Sequence, residues 1–323
     1  MARSFRTGTP KTLITHGETV CTVHGERRTP GGSLRSLGVS RQRNGEVLVR
    51  IAGASVRSLA QLADELPVLL INAESFELLV GQPQQRRRFL DWGVFHVEQD
   101  FRDHWLRFQR ALTQRNHLLR RGRLSSNELE PWDHDLVRCG EAVSAGRTRF
   151  LNRLRLAFDA LIAELAPELG AVELRYRRGW DSDIGYGDVI ARGLKSDREQ
   201  GFTQSGPQRA DLRVSVSGYP AAATLSRGQQ KLVVCALKLA QGRILAESRE
   251  DPGLYLIDDL PAELDAERCE RVCRSLQGIG AQTLLTCVDF ATLPPGWLGD
   301  EEEVAVFHVE HGEVSRRLAE PGP

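Results

Sequence analysis

No stretch limits the possible folds more than Leu254-Tyr255-Leu256-Ile257-Asp258-Asp259. Its unbroken apolar run is too short for a buried helix and reads as a buried strand, Gly253–Ile257, that ends in two carboxylates. Helical patterns flank it, one from about Gly228 to Glu247 and one at Asp265–Gln277, and a second apolar strand follows at Ala281–Cys287. Strands alternating with helices predict an α/β layer whose active residues sit at the carboxyl ends of the strands.

The rest of the chain differs in character. The first hundred residues are strand-rich, with short segments at Thr19–Val23, Leu34–Val39 and Glu46–Ile51; Asn44-Gly45 is a hairpin turn signal between the last two. Leu66–Asn72 reads as a buried strand that ends in a polar loop. From Phe101 onward, Phe101, Trp105, Phe108 and Leu112 recur at helical spacing. A second helix is predicted from Pro131-Trp132-Asp133 to just before Pro167, making an antiparallel helical hairpin. Sheet character returns at Val172–Arg177, and Val304–Val309 with Glu313–Arg316 reads as a closing hairpin. The expected division is 1–100, a mainly helical lobe at 101–200, and 201–323.

Acidic and basic residues balance at 43 each among 323, so nucleic-acid contact requires local patches rather than a global field. Hydrophobic residues at 41% and charged residues at 27% fit a globular chain and exclude general disorder. Cys21, Cys139, Cys235, Cys269, Cys273 and Cys287 form no Cys-x-x-Cys pair, and the histidines lack ligand spacing, so reduced thiols and no metal centre of that kind are expected. No apolar run is long enough to span a bilayer and no signal-like segment follows Met1, which points to the cytoplasm and no membrane partner.

An apolar strand ending in two acids is the Walker B pattern. Asp258 would hold water on Mg²⁺, and Asp259 would orient or deprotonate an attacking water. Taken alone, the six residues read more readily as a strand that stops at the surface, where acids are common. Upstream, Leu225-Ser226-Arg227-Gly228-Gln229-Gln230-Lys231 precedes an apolar helix; Ser226 as N-cap and Gly228 beside it form an anion-binding end, although such caps are common. Downstream, Ala262-Glu263-Leu264-Asp265 supplies a turn with Asp265 as the next cap. In order and spacing these segments resemble the signature motif, Walker B and D-loop of ABC ATPases.

A more particular resemblance, to the bacterial RecF family, covers essentially the whole chain. It is carried by Ala2-Arg3-Ser4-Phe5-Arg6, by Gln82-Pro83-Gln84-Gln85-Arg86-Arg87-Arg88-Phe89-Leu90-Asp91-Trp92, by Gln114-Arg115-Asn116, by Pro131-Trp132-Asp133 and by Ser205-Gly206-Pro207-Gln208-Arg209-Ala210-Asp211-Leu212. The resemblance implies an ABC-type ATPase head, α/β with mixed and antiparallel sheets and flanking helices, carrying an inserted helical-hairpin lobe, similar to SMC and Rad50 heads. It implies ATP and Mg²⁺ as cofactors, with Ser226, Gly228, Gln229, Asp265 and Arg3 as nucleotide contacts and an ATP-dependent homodimer closing head to head. It further implies binding to single- and double-stranded DNA at gaps, with RecR and RecO as partners in loading a recombinase. RecF proteins carry a Gly-x-Asn-Gly-x-Gly-Lys-Thr loop before the Arg-Ser-Phe-Arg stretch; this sequence has none, and roughly sixty residues are expected upstream of Met1, a start codon placed too late being preferred over a fragment or a degenerate paralogue. Residues 1–60 are accordingly expected to be short of strand partners and partly disordered. Smaller departures are Gln208 for a usual histidine, Arg227 in the signature, and Thr286 where transporters carry a switch histidine.

For DNA, the candidate contacts are Arg86, Arg87 and Arg88 and the stripe Arg107, Arg110, Arg115, Arg120, Arg121 and Arg123, clusters that would track phosphates without reading bases. A capping turn and a solvated helix face are the competing interpretations. The alternative function is a DNA- or RecR-binding module without ATPase activity; an SMC-like tether is excluded by the lack of a long heptad region.

Overall fold

The structure is a computed structural model that describes residues 10–29, 31–56, 58–121, 126–249, 251–294 and 304–317. Its organising element is the predicted apolar strand. β1 (Val20–Arg28), β2 (Leu34–Gln42), β3 (Val47–Ile51) and β4 (Ala54–Val56) form an antiparallel sheet in chain order, with α1 (Leu59–Glu65) against it. Leu37, Val49 and Leu62 make its small core. Residues 20–56, expected to be partly disordered, thus form a regular sheet. Arg27 ties this sheet to the rest by pairing with both Glu65 and Asp251.

β5 (Val68–Ile71) follows and belongs to a different sheet. β9 (Leu254–Asp258) lies between it and β10 (Gln282–Thr286), both parallel to β9, so that Ile257 stands level with Ile71 and Asp258 with Thr286. Burial alternates along β9, with Tyr255 and Ile257 buried and their neighbours half-buried. The strand therefore presents one fully covered face. Against that face packs α6 (Arg227–Ser248), whose Gly242 is required by contact: a methyl there would overlap the Tyr255 ring and hydroxyl.

Between the two halves of this sheet the chain runs through helices. α2 (Pro83–Val97) begins with proline at its first turn, where the missing N–H costs nothing. α3 (Phe101–Arg121) and α4 (Ser126–Leu165) pack as the predicted hairpin. α4 starts five residues before Pro131. The ring is tolerated because its missing N–H forfeits only a bond to a first-turn carbonyl. The second half of α4 does not stay in a separate lobe. Leu151, Leu154, Phe158, Leu161 and Leu165 enter the main core with α6 and α7 (Ala266–Ile279). β6 (Val172–Arg177), β7 (Asp211–Val216) and β8 (Tyr219–Pro220) form a third, antiparallel sheet, and α5 (Tyr186–Gln200), absent from the sequence-based outline, packs on α4. β11 (Val306–Glu310) and β12 (Glu313–Arg317) pair as the expected hairpin. Among the described residues no helix is long and apolar enough to cross a membrane.

Candidate functional site

At the carboxyl end of the parallel sheet the chain turns sharply after Asp258. Asp259 takes a left-handed conformation, φ 50°, which reverses the backbone into the short helical turn Leu260–Glu263. Left-handed backbone is tolerated in aspartate better than in most residues, and here two bonds hold it. The Asp259 amide donates to the Thr286 carbonyl at 3.0 Å and to Thr286 Oγ1 at 3.2 Å. Thr286 Oγ1 in turn donates to Asp258 Oδ1 at 2.8 Å. One hydroxyl thereby fixes both carboxylate-bearing residues. Thr286 thus orients the carboxyl end of β9 and the turn that follows it. The thiol of Cys287 lies against this turn, and burial together with the charges of Asp259 and Asp289 pushes its pKa up.

The start of α6 is built as a capping box. Ser226 accepts from the Gln229 amide at 3.4 Å, while Gln229 Oε1 accepts from the Ser226 amide at 3.0 Å. Gln230 Nε2 donates to the carbonyls of Ala222 and Leu225, fixing the approach to the helix. Gly228 leaves room for Arg268 on α7, whose guanidinium also pairs with Asp265 at 3.0 Å. Asp265 caps α7 by accepting from the Arg268 amide. Lys231 completes the connection, donating to the Glu263 carbonyl at 2.8 Å and pairing with its carboxylate at 2.6 Å. Ser226, Gly228, Gln229 and Asp265 are thus brought together with the turn that follows Asp258 and Asp259.

Sequence reasoning gave no role to Lys231, Arg268 or Asn72. Asn72 is buried where β5 ends, level with the end of β9, and closes a capping box with Ser75. A capping asparagine directly after an apolar strand was the available signal. Arg3 lies outside the described residues, and so does Arg123. No Gly-rich phosphate cradle lies among the described residues.

The proposed DNA-contacting arginines separate into two groups. Arg88, Arg110, Arg120 and Arg121 are exposed. Arg115 is completely buried: it pairs with Asp133 at 2.5 Å and Asp197 at 2.7 Å and donates to Thr203 Oγ1 at 2.7 Å. The earlier assignment of Arg115 to DNA is therefore wrong, since no external phosphate reaches a guanidinium enclosed by three elements. Arg86 also turns inward, to Asp211 at 2.7 Å and the Gly81 carbonyl, and Arg87 donates to the Ala210 carbonyl at 2.8 Å. A third such strut joins Arg147 to Asp91 at 2.7 Å and to the Pro207 carbonyl. The two carboxylate oxygens of Asp91 raise the Arg147 pKa against the opposing effect of burial, so the charge is held in place.

The family model RecF/RecN/SMC N terminal domain matches residues 3–315. The proteins called DNA replication and repair protein RecF from Stutzerimonas stutzeri and from Pseudomonas paraeruginosa are 48% and 47% identical over 98% of this chain, which spans 85% of each. The chain belongs to the RecF family. Its RecF-type fold also appears in the solved structures. The recombination mediator protein RecF of the RecFOR pathway, in its ATP form, superposes with a TM-score of 0.84 at 22% identity, covering 98% of this chain and 85% of that one. An SMC head bound to the C-winged helix domain of ScpA reaches 0.54 at 12% identity over 99% of this chain and 82% of that chain. The RecF fold thus places Asp258 and Asp259 at the carboxyl end of the central parallel strand of an ABC-type head.

Proposed function

We propose that this RecF-family chain is an ATP-dependent DNA-binding protein of recombinational gap repair and replication-fork recovery, acting at single-strand/double-strand junctions with RecR and RecO. The observation that carries this reading is the joined assembly of Asp258, Asp259, the Ser226 cap and the Asp265 turn at one end of the parallel sheet. The donor set fits a hard cation: Asp258 has one oxygen engaged by a neutral hydroxyl, leaving the other for a Mg²⁺-bound water. ATP supplies a γ-phosphate whose charge and hydrolysis distinguish closed from open states. Within this chain, Asp258 holds the metal's water shell, Asp259 orients the attacking water, and Thr286 fixes both. Ser226, Gly228 and Gln229 present a helix N-terminus to the nucleotide of a second copy, where the dipole favours negative charge. The exposed Arg88, Arg110, Arg120 and Arg121 supply phosphate contacts along DNA.

The test is equilibrium titration with ATP and Mg²⁺ of the 323-residue chain and of one extended upstream in the reading frame, each alongside Asp259→Asn. ATP binding retained in Asp259→Asn, with hydrolysis slowed at least tenfold and a longer-lived dimer, supports the assigned roles. Absence of ATP binding from every form, with gapped DNA still bound, replaces this reading with that of a binding module.

A further inference from the structure

The third sheet ends in a strand with one side unpaired. Among the described residues β6 pairs only with β7, in the order β6-β7-β8. The two-residue turn Ser217-Gly218 joins β7 to β8, so Val216 and Tyr219 form the hydrogen-bonded pair that closes it. Alternation then points the backbone groups of Asp211, Arg213 and Ser215 at β6, where they meet Arg177, Arg175 and Glu173. The N–H and C=O groups of Val172, Leu174 and Tyr176 consequently face away from β7. One of them is seen to do so, since the Leu174 carbonyl accepts from Arg155 Nε of α4 at 2.9 Å. A carbonyl oxygen has two lone pairs, and that bond leaves one of them. Beside this edge lies an open groove of about 580 Å³, lined by residues 172–175 of β6 and by Asp159, Ile162 and Ala163 of α4. Leu156, 77% exposed, is an uncovered apolar side chain on the same face of α4 as Asp159 and Ala163.

An open edge accepts another strand, and the side chains of β6 select which one. Val172 and Leu174 are buried, so Glu173, Arg175 and Arg177 stand on the solvent face. Glu173 pairs along the strand with Arg175 at 3.1 Å, while β7 sets Arg213, a like charge, opposite Arg175. Arg175 therefore has no carboxylate across the ladder. A second β6, running antiparallel about a two-fold axis at Leu174, supplies one. That register sets Leu174 against Leu174 and Val172 against Tyr176, so the outward N–H and C=O groups of each strand meet those of the other. It also sets Glu173 against Arg175 twice, which closes a square of alternating charge. Moving the axis by one residue puts Glu173 against Glu173 or Arg175 against Arg175, and like charges directly opposite are destabilising. The charge order along β6 is thus complementary to itself in a single register.

We propose that β6 is a docking edge for a second copy of this chain, the two strands pairing about Leu174 and joining both third sheets into one continuous antiparallel sheet. The contact is isologous. It uses none of Ser226, Gly228, Gln229 or Asp265, so it forms without ATP and stands or falls apart from the nucleotide reading. A short strand pairing buries less surface than a permanent interface, so the association is transient and concentration-dependent.

The experiment is sedimentation velocity of the 323-residue chain without nucleotide over a concentration series, for wild type, Glu173→Arg, Arg175→Glu and an equimolar mixture of the two variants. Wild type shifts from monomer toward dimer as concentration rises. Each variant alone sets like charges opposite each other at both positions, so its self-association weakens by at least about tenfold. The mixture again sets arginine against glutamate at both positions and regains the wild-type dimer. Both side chains are exposed, so the melting temperatures of the variants stay near that of wild type. A wild type that remains monomeric throughout the series overturns the proposal. Variants that self-associate as wild type does place the contact elsewhere and overturn it too. A mixture that stays monomeric beside a dimeric wild type has the same consequence.

Discussion

Replacing Arg115 by methionine tests whether the arginine is an internal strut. The substitution keeps most of the stem's volume and removes the guanidinium. Its two carboxylate partners are then left in different situations. Asp133, whose side chain is 28% exposed, can be rehydrated and loses about 1 kcal/mol or less. Asp197 is 4% exposed and keeps only the Gln204 amide at 3.0 Å and a longer contact to the Gln204 side chain. Removing one partner of a buried pair leaves an uncompensated charge and costs about 3–5 kcal/mol, and nearly all of that falls on Asp197. Urea unfolding should therefore show Arg115→Met losing about 3–5 kcal/mol, with Asp133→Asn losing about 1 kcal/mol or less. Arg115→Met/Asp197→Leu should recover most of the loss, because both buried charges are gone. An Arg115→Met protein of wild-type stability that binds DNA more weakly would refute this account and restore the arginine to a phosphate-contacting surface.

Two further perturbations address the packing. His96 is buried between Trp92 and Phe95, and burial, then Arg249, pushes its pKa down to about 4. With an unfolded value near 6.5, the unfolded chain binds the extra proton first, so stability is constant above about pH 6.5 and falls by about 3 kcal/mol as pH drops to about 4; His96→Phe should flatten that part of a denaturation series, and an unchanged pH dependence would refute the assignment. Gly242→Ala should cost about 3 kcal/mol, the upper range for overpacking, because the new methyl overlaps the Tyr255 side chain, whereas Tyr255→Phe should cost little since that hydroxyl is buried without a hydrogen-bond partner. Thermal melts of both single variants and the double variant check this, the double being expected to regain part of the Gly242→Ala loss.

Local physics made some elements readable. The apolar run at Leu254–Ile257 could only be a covered strand, and Ser226 with Gln229 announced the start of α6 through the reciprocal bonds that both then make. α5 was hidden because Gly187 and Gly193 lower its helical propensity and one of its few buried side chains is Asp197, a residue type that ordinarily marks a solvent face. The arginines were misread for a related reason. Arg86 and Arg115 find their acids at Asp211 and at Asp133 and Asp197, from 18 to 125 positions away in sequence. Pairings of that separation have no local periodicity. The segments that carried the family resemblance prove to contain many of these partners, so much of what made the chain recognisable holds the helical part to the sheets.

The 40 residues of α4 amount to a rod about 60 Å long, from Ser126 to Leu165, whose carbonyl accepts from Arg271 on α7 at 3.1 Å. Asp265, in the turn after the paired acids, caps that same helix α7. Such a rod multiplies angle into distance: a tilt of about 5° at the α7 end displaces the far tip by about 5 Å, the length of a helical turn. Repacking too small to disturb the core around Phe158 would thus shift that tip, and with it the end of α3 that packs along α4 and carries Arg120 and Arg121, by more than the span of a hydrogen bond.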